Sequence, residues 1–241
     1  MNVCVITDNR YIFEYFQGLI ERKAPEARFD FFYAPWNMDF QARYGEEGAI
    51  RPLRLRDQGE DFFSRYELFL SLHCKQLFPD ALVNHHLCIN VHPGYNPYNR
   101  GWFPQVFGII NHLPIGVTIH KMDAELDHGP ILWQRKLELR AEDTSKEVYE
   151  RILAAEMELL EEHLEDILTG NYSLTPMASE GNLNTKEDYD ALREIPLDKP
   201  ATYGEVIDYL RAMTHAPYKN AYYLDEDGKK IYVRIELEKE Q

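Results

Sequence analysis

Basic charge is scarce in this chain. Across 241 residues, 41 Asp and Glu face 26 Lys and Arg, giving a formal net charge of −15. Such a field repels polyanions, so general nucleic-acid binding is excluded unless cations cluster locally. The best local cluster, Arg51-Pro52-Leu53-Arg54-Leu55-Arg56, runs into Asp57 and reads as a solvated loop or edge strand. Cysteine is nearly absent too. Cys4, Cys74 and Cys88 form no CxxC pair and leave an odd count, which argues against a disulfide framework and for a reducing cytoplasm. No apolar run approaches the ~20 residues of a membrane span. Met1-Asn2-Val3-Cys4-Val5-Ile6-Thr7 has neither a basic leader nor a small-residue cleavage site, and is expected to be a first strand. Internal repeats, low-complexity tracts and long linkers are also missing. The eight histidines other than His92 show no spacing with paired acids or cysteines that would hold a metal, so none is expected.

What remains is ordinary globular composition, 44% hydrophobic and 28% charged. The length suits one full core plus a small module. Strand-like runs at 2–7, 28–33, 67–72, 87–91, 116–122 and 131–139 alternate with helical spacing near 10–22 and 103–111. Residues 35–60 read as an irregular excursion. This order predicts an α/β fold: a doubly wound, mostly parallel, Rossmann-like sheet. Thr144-Ser145-Lys146-Glu147 is a capping-box signal opening a long amphipathic helix that should stop near Gly170-Asn171. From about 176 the character changes. A loop leads to a helix near 202–214 and a hairpin from Ala221 to Leu237 turning at Asp227-Gly228. The expected organisation is a larger N-terminal domain over 1–175 and a C-terminal helix-plus-hairpin module over 176–241.

The chemistry concentrates in Cys88-Ile89-Asn90-Val91-His92-Pro93-Gly94, a buried strand ending in a Pro-Gly turn. Strand alternation puts Asn90 and His92 on one face, at a strand end where open α/β sheets place their ligands. Asp127-His128-Gly129-Pro130 offers a carboxylate as a third partner. Alone, such a histidine is usually structural, such an asparagine pairs with backbone, and such an aspartate turns a loop. Together they can move a proton and stabilise an oxyanion.

These residues carry a resemblance. Ile89-Asn90-Val91-His92-Pro93, Arg100-Gly101, Gly116-Val117-Thr118-Ile119-His120 and the stretch from Met122 to Ile131 occur in order, and over roughly residues 1–170 the chain resembles the folate-dependent formyltransferases. The resemblance implies formyl transfer from N10-formyltetrahydrofolate to an amine, with Asn90, His92 and Asp127 catalytic. Within that family, Thr7-Asp8-Asn9-Arg10, Ser71-Leu72-His73-Cys74-Lys75, His92 to Pro104 and Ala216 to Tyr222 look most like the enzymes acting on dTDP-linked amino-dideoxy sugars. It implies 4-amino-4,6-dideoxyglucose as the favoured sugar, with surface glycan or O-antigen synthesis as the setting. Arg10, Lys75, Asn96, Tyr218 and Tyr222 are then expected at the sugar nucleotide, and Phe78, Pro79, Leu82, Met122 and Asp123 along the pterin. A homodimer through the C-terminal module is expected, with no nucleic-acid or membrane partner. The alternatives are the 3-amino isomer, glycinamide ribonucleotide, water as acceptor in a hydrolase, or a non-catalytic nucleotide-sugar binding protein.

Overall fold

A computed structural model describes residues 1–45 and 48–240. In chain order the elements are β1 (Asn2–Thr7), α1 (Arg10–Lys23), β2 (Arg28–Tyr33), α2 (Met38–Tyr44), β3 (Arg51–Pro52), α3 (Glu60–Phe63), β4 (Leu68–Leu72), α4 (Asp80–His85), β5 (Cys88–His92), β6 (Arg100–Gly101), α5 (Pro104–Asn111), β7 (Ile115–Lys121), β8 (Ile131–Leu137), α6 (Ser145–Thr169), β9 (Leu183–Asn184), α7 (Lys186–Ala191), α8 (Tyr203–Met213), β10 (Tyr222–Leu224) and β11 (Lys230–Tyr232). Seven strands form one sheet in the order β3-β2-β1-β4-β5-β7-β8. The pairs β3·β2, β2·β1, β1·β4 and β4·β5 are parallel, and β5·β7 is antiparallel. The sheet is therefore mostly parallel, as expected. Val3 to Ile6 and Leu68 to Leu72 are buried throughout, as the middle strands of a sheet covered on both faces must be. Among the described residues no helix is long and apolar enough to cross a membrane.

The excursion at 35–60 carries short order after all: α2, the edge strand β3 and a 3-10 turn at Leu55–Asp57, with Glu46 and Glu47 outside the described residues. Asn37 caps α2, its side chain accepting from Phe40 N–H. Thr144 N–H and Oγ1 both donate to the Glu147 carboxylate at the head of α6, and Gly170 ends that helix with φ +72°.

The chain forms two compact units. The first comprises Met1–His92, Thr118–Arg135 and Ala155–Ala178; the second comprises Pro93–Val117, Lys136–Ala154 and the chain from Ser179 onward. In the second unit α5 packs on α8. Arg211 of α8 donates to the carbonyls of Arg140 and Asp143 and pairs with Asp208 at 2.6 Å. The terminal hairpin is shorter than expected. Asp225 closes its turn by accepting from Asp227 and Lys229 N–H, and Gly228 takes φ +74°. Val233 N–H still donates to Ala221 O, and past it the chain leaves the ladder, where Ile235 N–H donates to Thr214 Oγ1 at the end of α8.

Candidate active site

β5 ends with its apolar residues in the core and two polar side chains turned to a third. Asn90 Nδ2 donates to Asp127 Oδ1 at 3.0 Å, and His92 Nδ1 lies 3.4 Å from Asp127 Oδ2. The three side chains are almost wholly buried, His92 at 3% exposure and Asn90 at 9%. One carboxylate therefore bridges the carboxamide and the imidazole from a loop 35 residues downstream of His92. Burial matters for the chemistry, because charge interactions in a dry site are worth far more than in water.

That loop is held by its own backbone. Met122 N–H donates to Cys88 O at 2.8 Å, and Lys121 N–H to Pro130 O at 2.9 Å, closing the base of the loop. Asp123 accepts from Glu125 N–H and lies 2.7 Å from His128 Nδ1. A Cβ on Gly129 would sit 1.8 Å from Lys121 O, so only glycine lets the returning strand approach this closely. Asp127 itself takes φ +50°, a left-handed conformation that aspartate tolerates better than most residues.

A fourth side chain completes the network, and the motif reading gave it no role. In the antiparallel register of β5 and β7, His120 stands opposite Asn90. Its Nδ1 lies 3.1 Å from Lys121 O; a carbonyl only accepts, so Nδ1 carries the hydrogen of the neutral ring. Nε2 is then an acceptor, and it lies 3.3 Å from Asn90 Nδ2. Both hydrogens of the Asn90 amide are thus directed at protein groups, one at Asp127 and one at His120. The amide cannot flip without placing its oxygen against the carboxylate.

The cysteines lie apart from this chemistry. Burial pushes the Cys88 thiol up to about 12 and raises Cys4 and Cys74 as well, so all three stay protonated and unreactive at neutral pH.

The other expected site residues fall in two places. In the first unit, Arg10 opens α1 with its side chain exposed beside Glu14, and Lys75 follows β4 with its backbone N–H donating to Asp8 Oδ2 at 2.7 Å. Phe78, Leu82 and Met122 belong to one apolar cluster with Val83 and Cys88. Leu82 is fully buried, and its N–H and carbonyl are engaged with Pro79 O and His86 N–H, so it supports the wall rather than presenting atoms to a ligand. In the second unit, Asn96 is buried before a cis proline. Tyr218 is exposed against the His215 ring, and Tyr222 lies under the Lys230 ammonium with its hydroxyl donating to Glu194.

A further buried group was not foreseen. Glu156 of α6 has no exposed surface and faces His73 Nε2 at 2.8 Å. Burial raises its carboxyl above the usual range, while His73 pulls it the other way.

Comparison with known proteins shows the family. Residues 64–164 match the formyl transferase family, and residues 188–239 match the N-formyltransferase dimerization C-terminal domain. The dTDP-4-amino-4,6-dideoxyglucose formyltransferase of Mycobacterium tuberculosis is 45% identical over 202 residues, covering 84% of this chain and 86% of the relative. The crystal structure of a 4-N formyltransferase from Francisella tularensis superposes with a TM-score of 0.94 at 47% identity, covering 99% of this chain and 98% of that one. A sugar N-formyltransferase from a Shewanella species gives 0.92 at 39% identity, covering 100% and 99%. The four motif pieces, the mostly parallel sheet and these relatives agree: the chain belongs to the formyltransferase family, among its sugar N-formyltransferases.

Proposed function

We propose that this enzyme transfers the formyl group of N10-formyltetrahydrofolate to the C-4 amine of dTDP-4-amino-4,6-dideoxyglucose. The observation that carries the chemistry is the Asp127 carboxylate bridging Asn90 and His92. The C-4 choice is supported by the M. tuberculosis and F. tularensis relatives, which lie at 45% and 47% identity.

The neutral amine attacks the formyl carbon, and negative charge develops on the formyl oxygen. Asn90 stabilises that charge with an Nδ2 hydrogen, by exchanging the longer of its two bonds, the one to His120, while Asp127 keeps the other. His92 Nε2 takes the proton released by the amine, and Asp127 stabilises the resulting imidazolium at Nδ1. The C–N bond to the sugar forms as the bond to N10 breaks, and His92 returns the proton to N10. Phe78, Pro79, Met122 and Asp123 line the folate side. Arg10 and Lys75 supply charge for the pyrophosphate on an otherwise acidic chain. Residues 1–175 form the catalytic domain, and 176–241 a dimerising module. The enzyme works in the cytoplasm as a homodimer, on a precursor of O-antigen or a similar surface glycan.

In this reading His120 positions Asn90 between turnovers. His120→Phe removes the acceptor that, together with Asp127, fixes the orientation of the Asn90 amide before each turnover, and the looser amide should lower kcat about 5- to 10-fold with KM for both substrates nearly unchanged. His120→Gln restores an acceptor and should recover most of the loss. Steady-state kinetics on the two variants check it: equal losses in both would leave His120 a packing residue only.

The reaction itself is tested by mass spectrometry with N10-formyltetrahydrofolate and, separately, the dTDP-4-amino sugar, its 3-amino isomer and glycinamide ribonucleotide. A single formyl added to the 4-amino sugar is expected. Formylation of the 3-amino isomer alone would move the amine, and free tetrahydrofolate with no product would mark a hydrolase.

A further inference from the structure

Strands β1, β2, β3, β4 and β5 are mutually parallel, so their C-terminal ends lie along one edge of the sheet. His92 ends β5. Moving outward, Lys75 follows β4, Arg10 follows β1, Trp36 follows β2 and Arg54 follows β3. This edge is tied together by Asp8. Its Oδ1 accepts from Ala34 N–H and from Asn37 Nδ2, both at 3.0 Å, and its Oδ2 accepts from Lys75 N–H. Asp8 N–H in turn donates to His73 O. The loops after β1, β2 and β4 are therefore fixed to one buried carboxylate.

Trp36 sits on the outer part of this edge with half its surface exposed, and the Arg54 guanidinium lies 5.7 Å from its ring centroid. A half-exposed tryptophan backed by an arginine is a stacking platform for a planar aromatic group. The spacing of the strands says which one. Neighbouring strands are about 4.8 Å apart, so β4 and β1 end roughly 5 and 10 Å from β5, and β2 roughly 14 Å from it. With covalent bonds of about 1.5 Å, an extended nucleoside-diphospho-hexose spans on the order of 15 Å from its C-4 amine to its base. With the amine at His92, the pyrophosphate falls at the ends of β4 and β1, beside Lys75 and Arg10. The base then falls at the end of β2.

We infer that Trp36, backed by Arg54, stacks on the pyrimidine base of the sugar nucleotide and sets the affinity for it. The inference rests on the proposed sugar-nucleotide acceptor and adds where its base is held. Trp36 touches neither the reacting atoms nor Asn90, His92 or Asp127, so it contributes to binding the acceptor at every stage of turnover and not selectively to the transition state.

The test compares Trp36→Ala and Trp36→Phe with the parent enzyme in two measurements. Calorimetric titration with dTDP reads base binding without turnover. Trp36→Ala should weaken dTDP about 5- to 50-fold, the range of one lost base stack, and Trp36→Phe should lie between. Kinetics should then show KM for the dTDP-sugar raised by a similar factor with kcat within about twofold. The same amino sugar as its 1-phosphate, which has no base, should be formylated equally by Trp36→Ala and the parent. Unchanged dTDP affinity in Trp36→Ala overturns the inference, as does an equal loss on the base-free acceptor. A parent enzyme that binds dTDP but formylates no dTDP-sugar overturns the proposed reaction instead, and the ratio of dTDP affinities still decides the role of Trp36. The half-exposed ring makes the alanine variant a safe one to fold, and its thermal midpoint should stay near the parent's.

Discussion

Asp127→Asn is expected to lower kcat about 10³- to 10⁴-fold while leaving folate and sugar-nucleotide KM nearly unchanged. The change is isosteric, and asparagine tolerates the left-handed φ that residue 127 adopts. The loss comes from hydrogen-bond polarity. Asn90 Nδ2 donates to one carboxylate oxygen and His92 Nδ1 faces the other. A carboxamide at 127 keeps an acceptor toward Asn90 only by turning its NH₂ toward His92. That NH₂ needs an acceptor, so Nδ1 gives up its hydrogen and Nε2 takes it. The nitrogen that must collect the amine's proton then already carries one. Loss of the negative charge beside a buried imidazolium adds to the effect. Rates together with imidazole ¹⁵N shifts check both parts. A near-normal rate, or a slow variant whose His92 keeps its hydrogen on Nδ1, would contradict this account of Asp127.

His92→Asn should lower kcat about 10²- to 10⁴-fold, the usual contribution of a positioned proton acceptor. Asparagine is smaller and can still donate to Asp127, so the buried carboxylate keeps a partner and the fold should hold. What disappears is a group that takes a proton near neutral pH and gives it back. Binding of folate and dTDP should be nearly intact by calorimetry, separating chemistry from assembly. A variant with parent-like turnover would remove His92 from the proton path and leave solvent to carry it.

The parts that were legible in the sequence are those written in local spacing. The run Cys88 to Val91 gave a buried strand, and strand alternation put Asn90 and His92 on one face, where both meet Asp127. The capping box at Thr144 and the stop at Gly170 marked both ends of α6 to within a residue. His120 could not be found this way. Its partnership with Asn90 depends on β7 running antiparallel beside β5 in one particular register, and no local pattern encodes that. Asp8 and Glu156 were hidden for the same reason: their partners lie 26 to 83 residues away. The terminal hairpin was drawn too long because alternation continues to Leu237, whereas Thr214 captures the backbone at Ile235. Long-range hydrogen bonding, not propensity, decided each of these.

Asp8 also bears on how a ligand is received. Loops at strand ends are ordinarily the mobile part of an α/β sheet, and ordering them on binding subtracts from affinity. Here one carboxylate clasps three of them during folding. The entropy of arranging that rim is therefore settled before any nucleotide arrives, and contacts made along it translate into affinity with little lost to induced order. A rim preorganised in this way favours ligands of one fixed length over shorter or longer relatives, because it cannot close around them.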